Sequence, residues 1–174
     1  NAALTRDDGT TAVFTGSGTI TPTAAITFGH LQINAASSVT LAGNIAVKSN
    51  WINLGGTLIP GTNTVTFNRI ASQTISRTGG ETFYGLTCNS TGPLIFSNDV
   101  TITNTLTMTA GNININSNTL TVGNSAGATL SRAAGIAYGG TFRRWFPVAA
   151  ISSTVAPLYG LFPVGTSTQY RPVE

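Results

Sequence analysis

Charged residues are scarce in this chain. Only 7% of its 174 residues are Asp, Glu, Lys or Arg, against about 25% in an average soluble domain. Five acids face eight Lys and Arg residues, so the pI near 9.5 reflects a shortage of acids rather than a basic patch. The cations stand singly except at Arg143-Arg144, whereas a nucleic-acid-binding face needs them clustered. Nucleic acid is therefore not an expected partner.

Cysteine occurs once, as Cys88. A single thiol permits neither an internal disulfide nor a cysteine metal cage, and the apolar residues Leu86 and Met108 predict a buried thiol that packs as a small hydrophobe. No apolar run reaches the roughly 18 residues of a membrane helix, so membrane insertion is not expected. The opening Asn1-Ala-Ala-Leu resembles neither a translation start nor a signal peptide, so we expect a longer parent chain.

Threonine, asparagine and glycine are abundant instead. The chain has 30 Thr, 15 Asn and 20 Gly residues. Threonine favours strands, while asparagine and glycine favour tight turns. The composition predicts an all-β protein with no helix.

The sequence repeats itself at an offset of about 55 positions. Gly61-Thr-Asn-Thr-Val-Thr-Phe-Asn68 recurs as Asn116-Ser-Asn-Thr-Leu-Thr-Val-Gly123, and Phe28-Gly-His-Leu-Gln-Ile-Asn34 as Phe83-Tyr-Gly-Leu-Thr-Cys-Asn89. Within this long repeat, apolar pairs separated by one polar residue return about every 18 or 19 positions. Such spacing predicts a parallel β-helix, or β-solenoid, with three short strands per coil and about three coils per long repeat. The connection rule for parallel strands predicts a right-handed coil.

Period-2 alternation divides the expected inward residues into three series. The first is Ile26/Phe28, Ile45/Val47, Val65/Phe67, Phe83, Val100/Ile102 and Leu120/Val122; the second is Leu31/Ile33, Ile52/Leu54, Ile70, Leu86/Cys88 and Leu106/Met108; the third is Val39/Leu41, Leu58, Ile75, Leu94/Phe96, Ile113/Ile115 and Leu130.

The repeat pattern stops near residue 132. We therefore assign residues 1–132 to the solenoid. Residues 133–174 are richer in aromatics and prolines, and they contain Phe-Pro-Val at both 146 and 162. An exposed last coil invites edge-to-edge pairing, which favours a cap. This segment is expected either to cap the solenoid or to begin a following β-sandwich-like domain.

Asn or an acid precedes the first strand of successive coils at Asn44, Asn63, Glu81, Asp99 and Asn118. These residue types suit corners because they bond neighbouring amides. Glu81 and Asp99 could also form a carboxylate pair of the kind that cleaves polysaccharides, but no His or Lys aligns with them. We predict no catalytic residue, no metal and no cofactor, and we do not expect an enzyme. Asp7-Asp8-Gly9 is interpreted as a turn and His30 as a surface residue.

Outward threonines and several aromatic residues are the candidate ligand-binding positions. Thr-x-Thr pairs resemble the ladders of ice-binding solenoids, although Thr82/Tyr84 and Ala46/Lys48 interrupt them, and aromatic side chains can stack on sugar rings. The candidates are Thr64, Thr66, Thr101, Thr103, Thr119, Thr121, Tyr84 and Trp51, with Trp145 as a further aromatic.

Several phrases resemble the repeats of very large adhesin-like surface proteins of Bacteroidota. They are Gly61-Thr-Asn-Thr-Val-Thr-Phe-Asn, Thr82-Phe-Tyr-Gly-Leu-Thr-Cys-Asn, Val100-Thr-Ile-Thr-Asn-Thr-Leu-Thr-Met-Thr-Ala-Gly and Asn118-Thr-Leu-Thr-Val-Gly, and Phe142-Arg-Arg-Trp-Phe-Pro is similar to the segment that comes after such repeats. The resemblance implies export, commonly by type IX secretion, and a role in adhesion, gliding, matrix or filaments. No catalytic residues carry over, because the family motif is structural.

The sequence thus predicts a structural or adhesive repeat module of a secreted, extracellular cell-surface protein. Expected partners are other domains of the same polypeptide, surface glycans or neighbouring copies. A carbohydrate- or ice-binding solenoid is the alternative, and a polysaccharide-degrading β-helix enzyme is the third hypothesis.

Overall fold

The computed structural model describes residues 9–124, 127–146 and 162–171, which contain eighteen strands and no helix. In chain order the strands are β1 (Thr11–Phe14), β2 (Ser17–Ile20), β3 (Ile26–Phe28), β4 (His30–Ile33), β5 (Ser38–Leu41), β6 (Ile45–Val47), β7 (Trp51–Asn53), β8 (Thr57–Ile59), β9 (Thr64–Phe67), β10 (Gln73–Arg77), β11 (Glu81–Asn89), β12 (Leu94–Phe96), β13 (Val100–Ala110), β14 (Ile113–Asn114), β15 (Thr119–Val122), β16 (Thr129–Arg132), β17 (Ala137–Tyr138) and β18 (Thr141–Arg144).

These strands form three parallel sheets. Sheet 1 has the order β1-β4-β7-β10-β12-β14-β17, sheet 2 has the order β3-β6-β9-β11-β13-β15-β18 with β16 also on β13, and sheet 3 has the order β2-β5-β8. Neighbours in a sheet belong to successive turns of one coil. The prediction of an all-β parallel solenoid is confirmed, with about 7 turns.

Several turns of the coil are longer than the apolar spacing predicts. Thr11 pairs with His30, as the predicted spacing requires, but Trp51 pairs with Ile75, which lies several positions too far along the chain. Extra residues sit in corners such as 68–72, between β9 and β10. Ile70 belongs to this corner and is 87% exposed, so its assignment to an inward series is wrong.

In β7 the residues that face the core are the ones predicted to face outward. Trp51 and Asn53 point into the core, whereas Ile52 is half-buried and Leu54 is 56% exposed. The polar Asn53 is tolerated inside because its side-chain amide donates to Glu81 Oε2 at 2.8 Å and its oxygen accepts from the backbone of Gly56 at 2.8 Å. The inward pair is therefore Trp51/Asn53.

Strands β11 and β13 are long because each spans two sides of the coil. The first half of β13 pairs with β15 and its second half with β16, which are separate strands of the next turn. In β11, a register shift between Phe83 and Gly85 separates the two halves of the strand. Consequently Val65 of β9 pairs with Leu86 rather than with Phe83. At this turn, residues of the predicted second series stack on residues of the first.

The long repeat is not a whole number of turns. Leu31 lies in sheet 1, but its repeat equivalent Leu86 lies in sheet 2. Three turns from Leu31 lead through Trp51 and Ile75 to Phe96. Equivalent phrases therefore occupy different sides of the coil.

One continuous core fills the interior. Inward side chains of successive turns stack on one another, and the Phe83 ring meets Trp51 and Phe67 edge-on, with centroids 5.2 and 6.1 Å away. Burying one such side chain contributes about 1.5–3 kcal/mol. A single turn contributes too few of them to offset its own chain entropy, so the turns are stable only as a stack.

Parallel pairing continues past residue 132, where the repeat pattern stops. Strands β17 and β18 pair with β14 and β15. Val164 then bridges in parallel to Ala137, and the Phe162 ring lies 5.8 Å from that of Phe142. The described residues 162–171 thus contact the last turn.

Cys88 is the only thiol, and the prediction that it is buried is confirmed. Desolvation raises its pKa from 9.0 to about 11. Between these two values only the unfolded state ionises, so the free energy of unfolding should fall as pH rises from about 9 towards 11.

Because Cys88 is buried, we also expect a thiol-specific disulfide reagent to label it at pH 8 only at the rate of unfolding. Fast labelling of the native protein would contradict this burial.

Candidate functional site

Outward residues of sheet 2 form a row along the coil axis. Thr82, Thr101, Thr121 and Arg143 pair in that order across β11, β13, β15 and β18. Adjacent members are about 4.8 Å apart, so the row extends roughly 14 Å. The three hydroxyls make no hydrogen bond within the described residues. We call these four residues the axial row.

An aromatic residue flanks each end of the axial row. Two residues further along the chain lie Tyr84 of β11, Thr103 of β13 and Trp145, which directly follows β18. Each is about 7 Å from the row. Trp145 is 51% exposed, and its backbone N–H donates to Val122 O at 2.8 Å. The Thr103 hydroxyl donates to Phe83 O at 3.3 Å, so it is already engaged. An open surface of hydroxyls with one exposed arginine thus lies between two aromatic side chains.

A second threonine row lies on the other half of the long strands, where Thr66, Thr87, Thr107 and Ser131 pair across β9, β11, β13 and β16. The predicted threonines therefore fall on two rows: Thr66 belongs to the second row with Thr64 beside it, and Thr101 and Thr121 belong to the axial row with Thr103 and Thr119 beside it. Thr87 and Thr107 were missed because the bulge at Tyr84 is not visible in the apolar spacing.

Trp51 cannot stack on a ligand, because it has no exposed surface. Its indole N–H donates to Glu81 Oε2 at 2.8 Å in the interior. This candidate binding residue is a core residue instead. Tyr84 is half-buried at the outer surface and remains accessible.

The two candidate carboxylates lie on opposite sides of their sheet. Glu81 is 4% exposed and accepts hydrogen bonds from Trp51 and Asn53, with Arg77 Nε at 3.8 Å. Asp99 is exposed, and its Oδ1 accepts from the backbone N–H of Thr119 at 2.7 Å. The structure therefore does not bring the pair into one site.

Asp99 belongs to a corner whose side chains bond the next or preceding turn. Asn44 accepts from Thr64 N at 2.8 Å as Asp99 does from Thr119. Asn63 donates to Leu41 O at 2.7 Å, and its repeat equivalent Asn118 donates to Phe96 O at 2.9 Å. The corner series is thus structural at these four positions, and Glu81 departs from it by turning inward. A shallow depression of about 290 Å³ at this corner is lined by Gly79, Gly80, Asn98, Asp99 and Asn118.

Arginine is concentrated at the C-terminal end of the coil. Arg132, Arg143, Arg144 and Arg171 are four of the eight cations of the chain, and no acid lies between Asp99 and Glu174. The Arg132 guanidinium lies 3.8 Å from the centre of the Tyr170 ring, and that of Arg144 lies 5.1 Å from the Phe146 ring. Arg143 is exposed and makes no ion pair or hydrogen bond within the described residues.

Other chemical candidates are few. His30 is half-buried, and its Nδ1 accepts from the backbone N–H of Asn50 at 3.2 Å. Asp7 and Asp8 of the predicted turn lie outside the described residues. In ranges 9–124, 127–146 and 162–171, no three His, Cys, Asp or Glu side chains converge as metal ligands. The same ranges contain no helix of the length and apolarity that a membrane crossing requires.

The stacked sheets define the class of the protein as a parallel β-solenoid. Comparison with protein-family models, with curated proteins and with solved structures found no match to this chain.

Proposed function

We propose that the chain is a structural, stalk-like repeat module of a secreted cell-surface protein, serving adhesion, matrix or filament formation. The observation that carries the proposal is the continuous stack of turns whose buried polar groups bond across turns. Gln73, for example, donates to Val47 O at 2.8 Å and to Ser49 O at 2.7 Å, and accepts from the Ser90 hydroxyl at 2.6 Å. Such cross-turn bonds resist shear between turns.

The likeness of its phrases to repeats of Bacteroidota surface proteins supports the surface location and export by type IX secretion. The expected partners are flanking domains of the same polypeptide. Antibodies against the chain should label intact cells of the source organism. Labelling only after permeabilisation would contradict the surface location.

Pulling the chain from its two ends in a force spectrometer tests the stalk role. Each lost turn releases the chain between two stacked partners, such as positions 11 and 30 or 51 and 75. At about 3.5 Å per extended residue, this should lengthen the chain by roughly 65–85 Å per turn. We expect a series of such steps as the turns peel away one after another. Complete extension in one event at low force would contradict a stack that resists pulling.

Carbohydrate binding is the second candidate function. It is favoured by the axial row, whose free hydroxyls lie between accessible aromatic rings. Ice binding is less favoured, because Gly85 separates Thr64 from Thr105 and Ala46 separates Thr27 from Thr66, which breaks the regular array. Calorimetric titration with soluble polysaccharides tests this candidate.

A further inference from the structure

We propose that the face formed by the axial row and Trp145 binds an acidic polysaccharide, with a sugar carboxylate on Arg143 and a sugar ring on Trp145. The inference rests on the carbohydrate-binding candidate and names its ligand class. It is independent of the stalk role, which requires no ligand.

Arg143 supplies the charge recognition. Its side chain projects outward from β18, beside Thr121 in the row. A guanidinium presents a planar fork of N–H donors that matches a carboxylate with two parallel hydrogen bonds. Four of the eight cations of the chain follow Asp99, and no acid lies in the sequence between Asp99 and Glu174. Positive charge thus predominates in this stretch, which favours a polyanion as the ligand.

Trp145 and the threonines supply the recognition of sugar. The burial pattern alternates along β18 and continues through Trp145, the residue after its end, so Thr141, Arg143 and Trp145 share the outer side. The indole therefore lies about 7 Å from Arg143, which allows one sugar unit to stack on the ring while its carboxylate meets the guanidinium. The hydroxyls of Thr121, Thr101 and Thr82 then continue along the axis, where they can exchange hydrogen bonds with successive sugar hydroxyls.

The hydroxyls beside the single cation select the kind of polyanion. The axial row offers one cation, Arg143, and three threonines, whereas a nucleic acid is bound by a stripe of cations along its phosphates. A polyuronate also has one charge per sugar, but each of its sugars carries hydroxyls as well, so it can place one carboxylate on Arg143 and its rings and hydroxyls on the rest of the face. Asp99 lies at the far edge of this face, two residues before Thr101, and repels such a ligand.

Titration calorimetry of the whole chain with hexagalacturonate, with cellohexaose as the neutral counterpart, tests the proposal. We expect hexagalacturonate to bind more tightly and its affinity to fall with added salt. Arg143→Gln should weaken binding about tenfold or more, since a charged hydrogen-bonded pair is lost. Trp145→Ala should weaken it by roughly five- to tenfold. Asp99→Asn should strengthen it about twofold, and the corner should hold, because Asn44 performs the same backbone bond.

Arg171→Gln is the matched control. Arg171 is an exposed arginine at the same end of the coil, and its side chain bonds Gln169. The same charge change there should alter affinity by less than about twofold. Unchanged circular dichroism of each variant shows that the fold is retained.

Four outcomes would overturn the inference. An equal loss from Arg171→Gln and Arg143→Gln would indicate general charge attraction. Tighter binding of single-stranded oligothymidylate than of hexagalacturonate would indicate a nucleic-acid surface. Equal binding of cellohexaose would retain the carbohydrate-binding candidate and refute the acidic ligand, and no binding of either sugar would refute both while leaving the stalk role untouched.

Discussion

Replacing Glu81 by alanine is expected to lower the free energy of unfolding by about 3–5 kcal/mol. The carboxylate is the shared acceptor for the indole N–H of Trp51 and the amide of Asn53, both at 2.8 Å and both buried. Its loss leaves two donors without an acceptor in the core, where water cannot replace it. Denaturation in guanidinium, followed by both circular dichroism and tryptophan fluorescence, measures the effect.

Two variants test whether the loss of stability in Glu81→Ala comes from the buried position or from the removal of any acid. Glu81→Gln keeps an oxygen for Trp51 and Asn53 but turns an NH2 group towards the N–H of Thr82, so we expect an intermediate loss of about 1–3 kcal/mol. Asp99→Ala removes an exposed acid with one backbone bond and should cost about 1 kcal/mol or less. Similar losses for Asp99→Ala and Glu81→Ala would show that the buried position is not the cause.

Replacing Gly111 by alanine is expected to have a similarly large effect, about 3–5 kcal/mol. Gly111 has a φ of +77°, which a residue with a Cβ rarely adopts. In addition, its Cβ would overlap the carbonyl oxygen of Ser90 on the turn below. Because the obstructing group is backbone held by the stack, it cannot rotate away, and the two turns must separate locally. The loss is measured as a lower midpoint of thermal and guanidinium unfolding.

Gly79→Ala is the control for backbone strain alone. Gly79 has a φ of +87°, but nothing lies within 4 Å of a Cβ placed there. We expect about 1–2 kcal/mol for this variant, from the left-handed conformation. If Gly111→Ala costs no more than Gly79→Ala, the close approach of successive turns at that corner does not constrain the sequence.

The strands could be predicted from the sequence because period-2 alternation directly reports which side chains face the core. Val65/Phe67, Leu94/Phe96 and Val100/Ile102 are all buried as expected. Alternation fails where a polar residue is buried and a large apolar one is exposed. At β7 the core accepts Asn53 because Glu81, on a later turn of the coil, completes its hydrogen bonds, and no local pattern contains that information.

The candidate binding face was only partly predictable from the sequence, for a related reason. Outward threonines are visible in the sequence, but the row to which each belongs depends on the number of residues in every corner and on the bulge between Phe83 and Gly85. Thr66 and Thr101 therefore looked equivalent although they lie on different rows. Arg143 was noted only as a neighbour of Arg144, because its place beside Thr121 follows from the pairing of β15 with β18.

The 55-residue sequence repeat does not contain a whole number of turns of the coil. This difference has a consequence for longer arrays of the repeat. Each additional unit would present the same surface phrase rotated to the neighbouring side of the rod, as the shift from Leu31 in sheet 1 to Leu86 in sheet 2 already shows. A filament built in this way would display its contact residues along a spiral. Such a filament would contact a flat surface with whichever of its sides faces that surface, without first rotating about its long axis.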